Sequence, residues 1–336
     1  MKKLKRIFAV FFCLLLASGI LGSCGKAASS SAPAPSASQS GSKPLKIVTT
    51  IFPEYDWVRE ILGDKADHAE VTMLLDNGVD LHSYQPTADD IIKISDCDLF
   101  LYVGGESDGW VEDALKEATN KDMQVINLLD ALGEQVKEEE VVEGMEAEEE
   151  ESEDEDEPEY DEHVWLSLKN AETLCNAITD ALEEIDPANK DAYAANAASY
   201  LEKLAALDGE YQTMVDNAAR KTVLFGDRFP FRYLVDDYGL SYYAAFAGCS
   251  AETEASFETI SFLAGKVDEL GLPCVLTIEG AQHKIAETIV QNSAAKNQSI
   301  LTLDSMQSTT SADAANGTTY LSVMESNLDV LKQALN

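Results

Sequence analysis
Two histidines in separate loops carry the most distinctive chemistry of this 336-residue chain. His82 lies in Gly78-Val79-Asp80-Leu81-His82-Ser83-Tyr84-Gln85-Pro86-Thr87, bounded by Gly and Pro, between a strand expected at 70–75 and a helix expected from Thr87. His163 lies far downstream in Asp161-Glu162-His163-Val164-Trp165-Leu166. A neutral imidazole offers a ring-nitrogen lone pair to a transition metal, although a lone loop histidine is more often a solvated surface residue. The metal reading therefore depends on what else converges. Asp227 is the first residue after a strand expected at 222–226, and Glu279 the first after one at 274–278. In open parallel sheets ligands bind at the carboxyl ends of strands, so both carboxylates and His82 point toward one crevice. Spacing places His163 less directly, since it precedes a helix. A strand-end acid alone reads as a helix cap, but His82, His163, Asp227 and Glu279 together make a four-ligand set for a divalent transition metal. His68, in a polar patch before a strand, reads as surface.

The elements that must position these residues alternate. Strands are expected at 46–50, 70–75, 99–103 and 124–127, with helices at 53–62, 87–95 and 110–118 between them, the pattern of a parallel α/β sheet. A helix at 169–185 closes this first lobe. Asp186-Pro187 reads as a cap with Pro at the first helical position, and the pattern stays helical to about 220. Tyr193, Tyr200, Leu204, Leu207, Tyr211 and Met214 form its apolar stripe. Such a helix is roughly 45–50 Å long at ~1.5 Å per residue, longer than a lobe is wide, and so reads as a strut. Strands at 222–226, 241–246, 274–278 and 299–303 then alternate with helices at 229–238, 256–270 and 284–292, and a last helix spans 320–335. The expected fold is α/β, with two lobes at 44–185 and 221–336, each a four-stranded parallel sheet with flanking helices, joined by one long rigid helix at 186–220.

The chain opens with Lys2, Lys3, Lys5 and Arg6 and an apolar run at 7–17, shorter than the ~20 residues that span a bilayer. Residues 1–23 read as a signal peptide. Leu21-Gly22-Ser23-Cys24 resembles a bacterial lipobox, which makes Cys24 the expected lipidation site, and the Ser-, Ala- and Pro-rich segment to residue 43 a flexible tether. The net charge of -37 argues against a nucleic-acid partner. Seventeen of the 61 acidic residues fall within 138–162, a segment with no Lys or Arg, so a disordered acidic loop is expected at about 134–160. Cys97, Cys175, Cys249 and Cys274 show no C-x-x-C spacing and read either as oxidised pairs or as buried thiols. Neither a P-loop nor a His-Glu-x-x-His helix is present.

Several motifs point to one family. They are Ile47-Val48-Thr49-Thr50-Ile51-Phe52-Pro53, the Val-Asp-x-His-Ser-Tyr-x-Pro-Thr run at 79–87, and His163-Val164-Trp165-Leu166 with Lys169-Asn170-Ala171 behind it. Asn196-Ala197, Tyr320-Leu321-Ser322 and Asn327-Leu328 add to these. On them the chain resembles the solute-binding lipoproteins of zinc and manganese ABC importers, the ZnuA/TroA-like group, over nearly all its length after the tether. The resemblance implies His82 and His163 as the first two ligands. It implies Zn²⁺ or Mn²⁺ as transported ligand rather than catalytic cofactor, and a permease with a separate ATPase as partners. A monomer anchored through Cys24 outside the cytoplasm, without enzyme activity, completes the expectation. The family's third ligand, a His or Glu, directly follows the first strand of the second lobe. Counting back from Phe231 puts Arg228 in that slot, and counting forward from the strand puts Asp227 there. A guanidinium has no lone pair to donate, so Asp227 is favoured. The fourth, an acidic residue, fits Glu279, with His283 as its substitute. Two imidazoles and two carboxylates tilt toward Mn²⁺, while the Irving–Williams trend keeps Zn²⁺ open. A metal-independent adhesin on the same fold and an exported zinc hydrolase are the alternative readings.

Overall fold
The computed structural model describes residues 43–146, 159–250, 254–280 and 283–336. The expected signal peptide and Cys24 lie outside the described residues, as does the centre of the acidic run. Pro44–Asn336 forms one compact unit.

Its first half alternates β1 (Leu45–Thr49), α1 (Phe52–Leu62), β2 (Ala69–Met73), α2 (Ala88–Ser95), β3 (Leu99–Tyr102), α3 (Val111–Lys116), β4 (Gln124–Asn127) and α4 (Leu128–Leu132). The strands form a parallel sheet in the order β2-β1-β3-β4. Ile47, Val48, Leu99, Phe100 and Leu101 are buried. Such continuous apolar runs are what a parallel sheet covered on both faces requires.

Next come α5 (Leu168–Ile185) and α6 (Lys190–Asn217), packed together. The long helix starts later than expected. Asp186 ends α5, and its carboxylate accepts from Asn189 Nδ2 and Tyr193 Oη, both at 2.7 Å. That side-chain network closes a turn containing Pro187, so the Pro lies before the helix rather than at its first position. Tyr193, Tyr200, Leu204, Leu207 and Tyr211 are buried along α6, which touches α1 of the first lobe and the helix Arg232–Tyr238 of the second.

The second half runs β5 (Thr222–Leu224), β6 (Arg228–Phe229), α7 (Arg232–Tyr238), β7 (Ser241–Tyr243), β8 (Phe246–Ala247), α8 (Phe257–Leu270), β9 (Cys274–Thr277), α9 (Lys284–Asn292), β10 (Ser299–Thr302), α10 (Ser311–Ala315) and α11 (Tyr320–Ala334). β5 pairs with β7, β6 with β8 and β9 with β10, all parallel, and a bridge from Phe225 to Leu276 joins the two sets. The strand expected at 222–226 thus ends at Leu224, with Phe225 in a single bridge, and the one expected at 241–246 is interrupted after Tyr243. At Gly226 a Cβ would stand 2.6 Å from Ala286 Cα, so α9 presses on the strand where only glycine fits. Beyond this kink the Asp227 carbonyl accepts from Ala245 N–H at 3.2 Å, and the chain turns Arg228 into the crevice.

One hydrophobic core runs through both lobes. Trp57 of α1 meets Tyr320 of α11 edge-on, with ring centroids 5.1 Å apart, and Tyr320 N–H donates to Asp56 at 2.8 Å. Trp165 Nε1 donates to the Ser305 carbonyl at 2.9 Å, and Tyr320 Oη to the Trp165 carbonyl at 2.7 Å.

The flanks of the acidic run are ordered against the body, unlike the loop expected there. Glu138 bridges Tyr160, Lys137 N–H donates to Tyr233 Oη at 3.0 Å, and Glu146 pairs beside β8 at Phe246. Arg232 binds the Glu140 carboxylate at 2.7 Å. These pairings hold residues 137–146 as a strap along the second lobe.

Candidate metal centre
His82 sits in a single 3-10 turn, Leu81–Ser83, capped by Asp80, whose Oδ1 accepts the His82 N–H at 3.0 Å. His163 is wholly buried at the entry to a second such turn, Val164–Leu166. The two rings face each other with Nε2 to Nε2 at 3.2 Å. Their Nδ1 atoms are engaged elsewhere. His163 Nδ1 lies 2.9 Å from Asp161 Oδ1, which also accepts the His163 backbone N–H. His82 Nδ1 lies 2.8 Å from Ser107 Oγ and 3.4 Å from Glu162 Oε2. Acidic partners favour the tautomers with the proton on Nδ1, leaving two Nε2 lone pairs directed at one point. Burial opposes charge on His163, yet Asp161, then Glu162 and Asp80, hold its proton affinity above the ordinary imidazole value. The same field favours a cation between the rings.

A cleft of about 790 Å³ opens beside the pair, lined by Asp80 and His82 from the first lobe and by Asp227, Arg228, Glu279 and His283 from the second. The structure does not bring the two expected carboxylates to the imidazoles. Asp227 Oδ1 accepts Arg228 N–H at 2.9 Å and its Oδ2 accepts Ile278 N–H at 3.3 Å. Glu279 accepts from Ser305 N–H and Oγ, both at 2.7 Å, and from Gln307 N–H at 3.0 Å. Both acids brace strand-end loops while facing the cleft. Arg228 donates to Asp80 Oδ2 at 2.6 Å and to the Ser250 carbonyl at 3.3 Å, so its guanidinium ties the lobes rather than taking a ligand's place. Against the pull of burial, Arg228 and then His82 hold the Asp80 carboxyl below its ordinary range. His283 immediately precedes α9 without a side-chain capping bond, its Nδ1 buried and without a hydrogen-bond partner, and His68 is exposed.

The side chain that does join the imidazoles is Cys249. Among the described residues, His82, His163 and Cys249 form the one group of three metal-capable side chains whose donor atoms lie within 4.8 Å of one another. Cys97, Cys175, Cys249 and Cys274 are all free thiols. Strand-end logic applies to Cys249, in the loop after β8, as it does to Asp227. Its signal was masked because a lone Cys without C-x-x-C spacing resembles any buried thiol.

The profile of the family described as "Zinc-uptake complex component A periplasmic" matches residues 47–334. The chain belongs to that family. It is 32% identical over 337 residues to the high-affinity zinc uptake system protein ZnuA of Bacillus subtilis, covering 99% of this chain and 98% of that protein. The zinc-binding lipoprotein AdcA of Streptococcus pneumoniae is 33% identical over 292 residues. That match covers 86% of this chain but only 55% of AdcA, so the chain spans about half the length of that relative. The Zn(II)-bound ZnuA-like domain of the same AdcA superposes with a TM-score of 0.67 at 30% identity, over 87% of this chain and 98% of that domain. The two-lobed α/β architecture is common to both.

Proposed function
We propose that the chain captures a zinc ion between His82 and His163 at the cleft and delivers it to a membrane importer. The carrying observation is the pair of facing Nε2 atoms, 3.2 Å apart, each on a ring whose other nitrogen meets an acidic side chain or a hydroxyl. Two inward lone pairs backed by carboxylates form the arrangement that orients metal-binding imidazoles. Asp80, Asp227 and Glu279 add negative charge to the cleft walls, and Asp227 and Glu279 remain the second-lobe candidates for ligation if the cleft rearranges around the ion. The zinc-binding names of the relatives support zinc over manganese as cargo.

The continuous core between the lobes favours modest closure over a wide hinge. Release then falls to the partner, a permease driven by a separate ATPase. The lipid on Cys24 and the tether to residue 43 place the compact unit outside the cytoplasm at the membrane, with lobes at 44–185 and 221–336 and the strut between. Capture without turnover is the activity. Cells lacking this chain are expected to take up radiolabelled zinc slowly at limiting metal, restored by the native chain and not by His82→Ala. Equal uptake with and without the chain contradicts the reading.

A further inference from the structure
We infer that Cys249 supplies a third ligand, a thiolate, to the ion held by His82 and His163, which biases the site toward zinc and softer cations and away from Mn²⁺. The inference rests on the metal-capture reading of the histidine pair. Donor atoms around a tetrahedral zinc with ~2.0 Å Zn–N and ~2.3 Å Zn–S bonds stand roughly 3.3–3.7 Å apart. The imidazole nitrogens stand just short of this range at 3.2 Å, and the three donors lie within 4.8 Å of one another, so small side-chain shifts complete the set.

The close approach of the Cys249 loop is built by several contacts. At Gly248 a Cβ would stand 2.9 Å from the Phe229 carbonyl and 3.1 Å from the His163 ring, so glycine lets the backbone pass against the imidazole. Glu139, on the acidic strap, accepts Cys249 N–H at 3.0 Å. Arg228 holds the next carbonyl, that of Ser250, and the Ala245 carbonyl accepts Glu146 N–H at 3.0 Å. The strap thereby fixes the thiol beside the two rings. Cys97, by contrast, donates its thiol to the Ile94 carbonyl within the first-lobe core.

On binding, the S–H bond breaks, its proton leaves to water, and the sulfur lone pair forms the S–metal bond. Two imidazoles and a thiolate leave one position of a tetrahedral ion for water or a cleft carboxylate. Thiolate donors favour zinc over manganese, which prefers oxygen.

The test uses the metal-stripped chain from Gly25 onward, which keeps the whole compact unit, loaded with Co²⁺ as a spectroscopic stand-in for zinc. The native chain is expected to show an intense near-ultraviolet thiolate-to-cobalt band. Cys249→Ser is expected to lose that band while still taking up cobalt, with affinity reduced by at least the ~10-fold that loss of a mere hydrogen-bond partner behind a ligand costs, and Cys274→Ser to keep it. Stoichiometric cobalt uptake by the native chain without the band overturns the inference, as does a band that survives in Cys249→Ser. No uptake of cobalt or zinc overturns the histidine reading itself. A second measurement needs no variant. Zn²⁺ is expected to protect Cys249 from alkylation in the native chain, located by peptide mass, and equal labelling with and without zinc overturns the inference.

Discussion
Arg228 of the second lobe and Asp80 of the first meet across the cleft at 2.6 Å, beside the histidine that Asp80 caps. Arg228, one of the two residues that counting along the chain offers for the third-ligand position, is therefore engaged as an interlobe tie. Both side chains are mostly buried, with relative exposures of 19% and 23%, so the pair is shielded from solvent more than a surface ion pair.

Asp80→Asn and Arg228→Gln are accordingly expected to be non-additive. A double-mutant cycle on urea unfolding should return a coupling of about 1–2 kcal/mol. Additive effects of the two changes would mean that the contact contributes nothing to holding the lobes.

Asp161 holds the His163 ring through Nδ1 and fixes which nitrogen faces the ion. Asp161→Ala is expected to weaken zinc binding by about 10–100-fold, with partial recovery in Asp161→Asn, whose amide oxygen can still accept the Nδ1–H hydrogen bond. Unchanged affinity in Asp161→Ala would show that ring orientation comes from packing alone.

Gly248→Ala places a methyl group against both Phe229 and His163. The expected result is a loss of about 1–3 kcal/mol in stability from overpacking, accompanied by weaker zinc binding as the Cys249 loop is displaced. A variant with native stability and affinity would show that the loop yields freely.

Glu54 gives the fold a pH dependence away from the site. Burial pushes its carboxyl up to about 8, despite N–H donors from Thr50 and Ile51. The unfolded chain loses that proton near the ordinary value of 4.5, whereas the folded chain keeps it to about 8. The contribution of this group is therefore fully present below pH 4.5 and is lost as pH rises toward 8. Glu54→Gln removes a slope of about 1.4 kcal/mol per pH unit over that window, so its stability relative to the native chain should rise from pH 5 to pH 8. Parallel stability curves for the two proteins would contradict the assignment.

Much of the architecture was legible because its signals are local. The buried apolar runs of β1 and β3 and the aromatic stripe from Tyr193 to Tyr211 on α6 declare their elements by pattern alone. The break in the second sheet was not legible, since it arises from Ala286 pressing on Gly226, sixty positions earlier in the chain. At the site, motif spacing singled out His82 and His163. It could not show that Asp227 and Glu279 brace backbone amides, because those donors come from Ile278, Ser305 and Gln307. Nor could composition show that the ends of the acidic run are strapped to the second lobe, where Glu139 meets Cys249. Charge density argues for solvation, and only tertiary pairing overrides it.

The most direct test of the account is calorimetric titration of the metal-stripped chain from Gly25 onward with Zn²⁺, alongside His82→Ala and His163→Ala. The account predicts one tight zinc ion per native chain and loss of that binding in both variants while their folded spectra persist. Tight stoichiometric binding that survives in folded His82→Ala and His163→Ala, or no binding by the native chain, would contradict it.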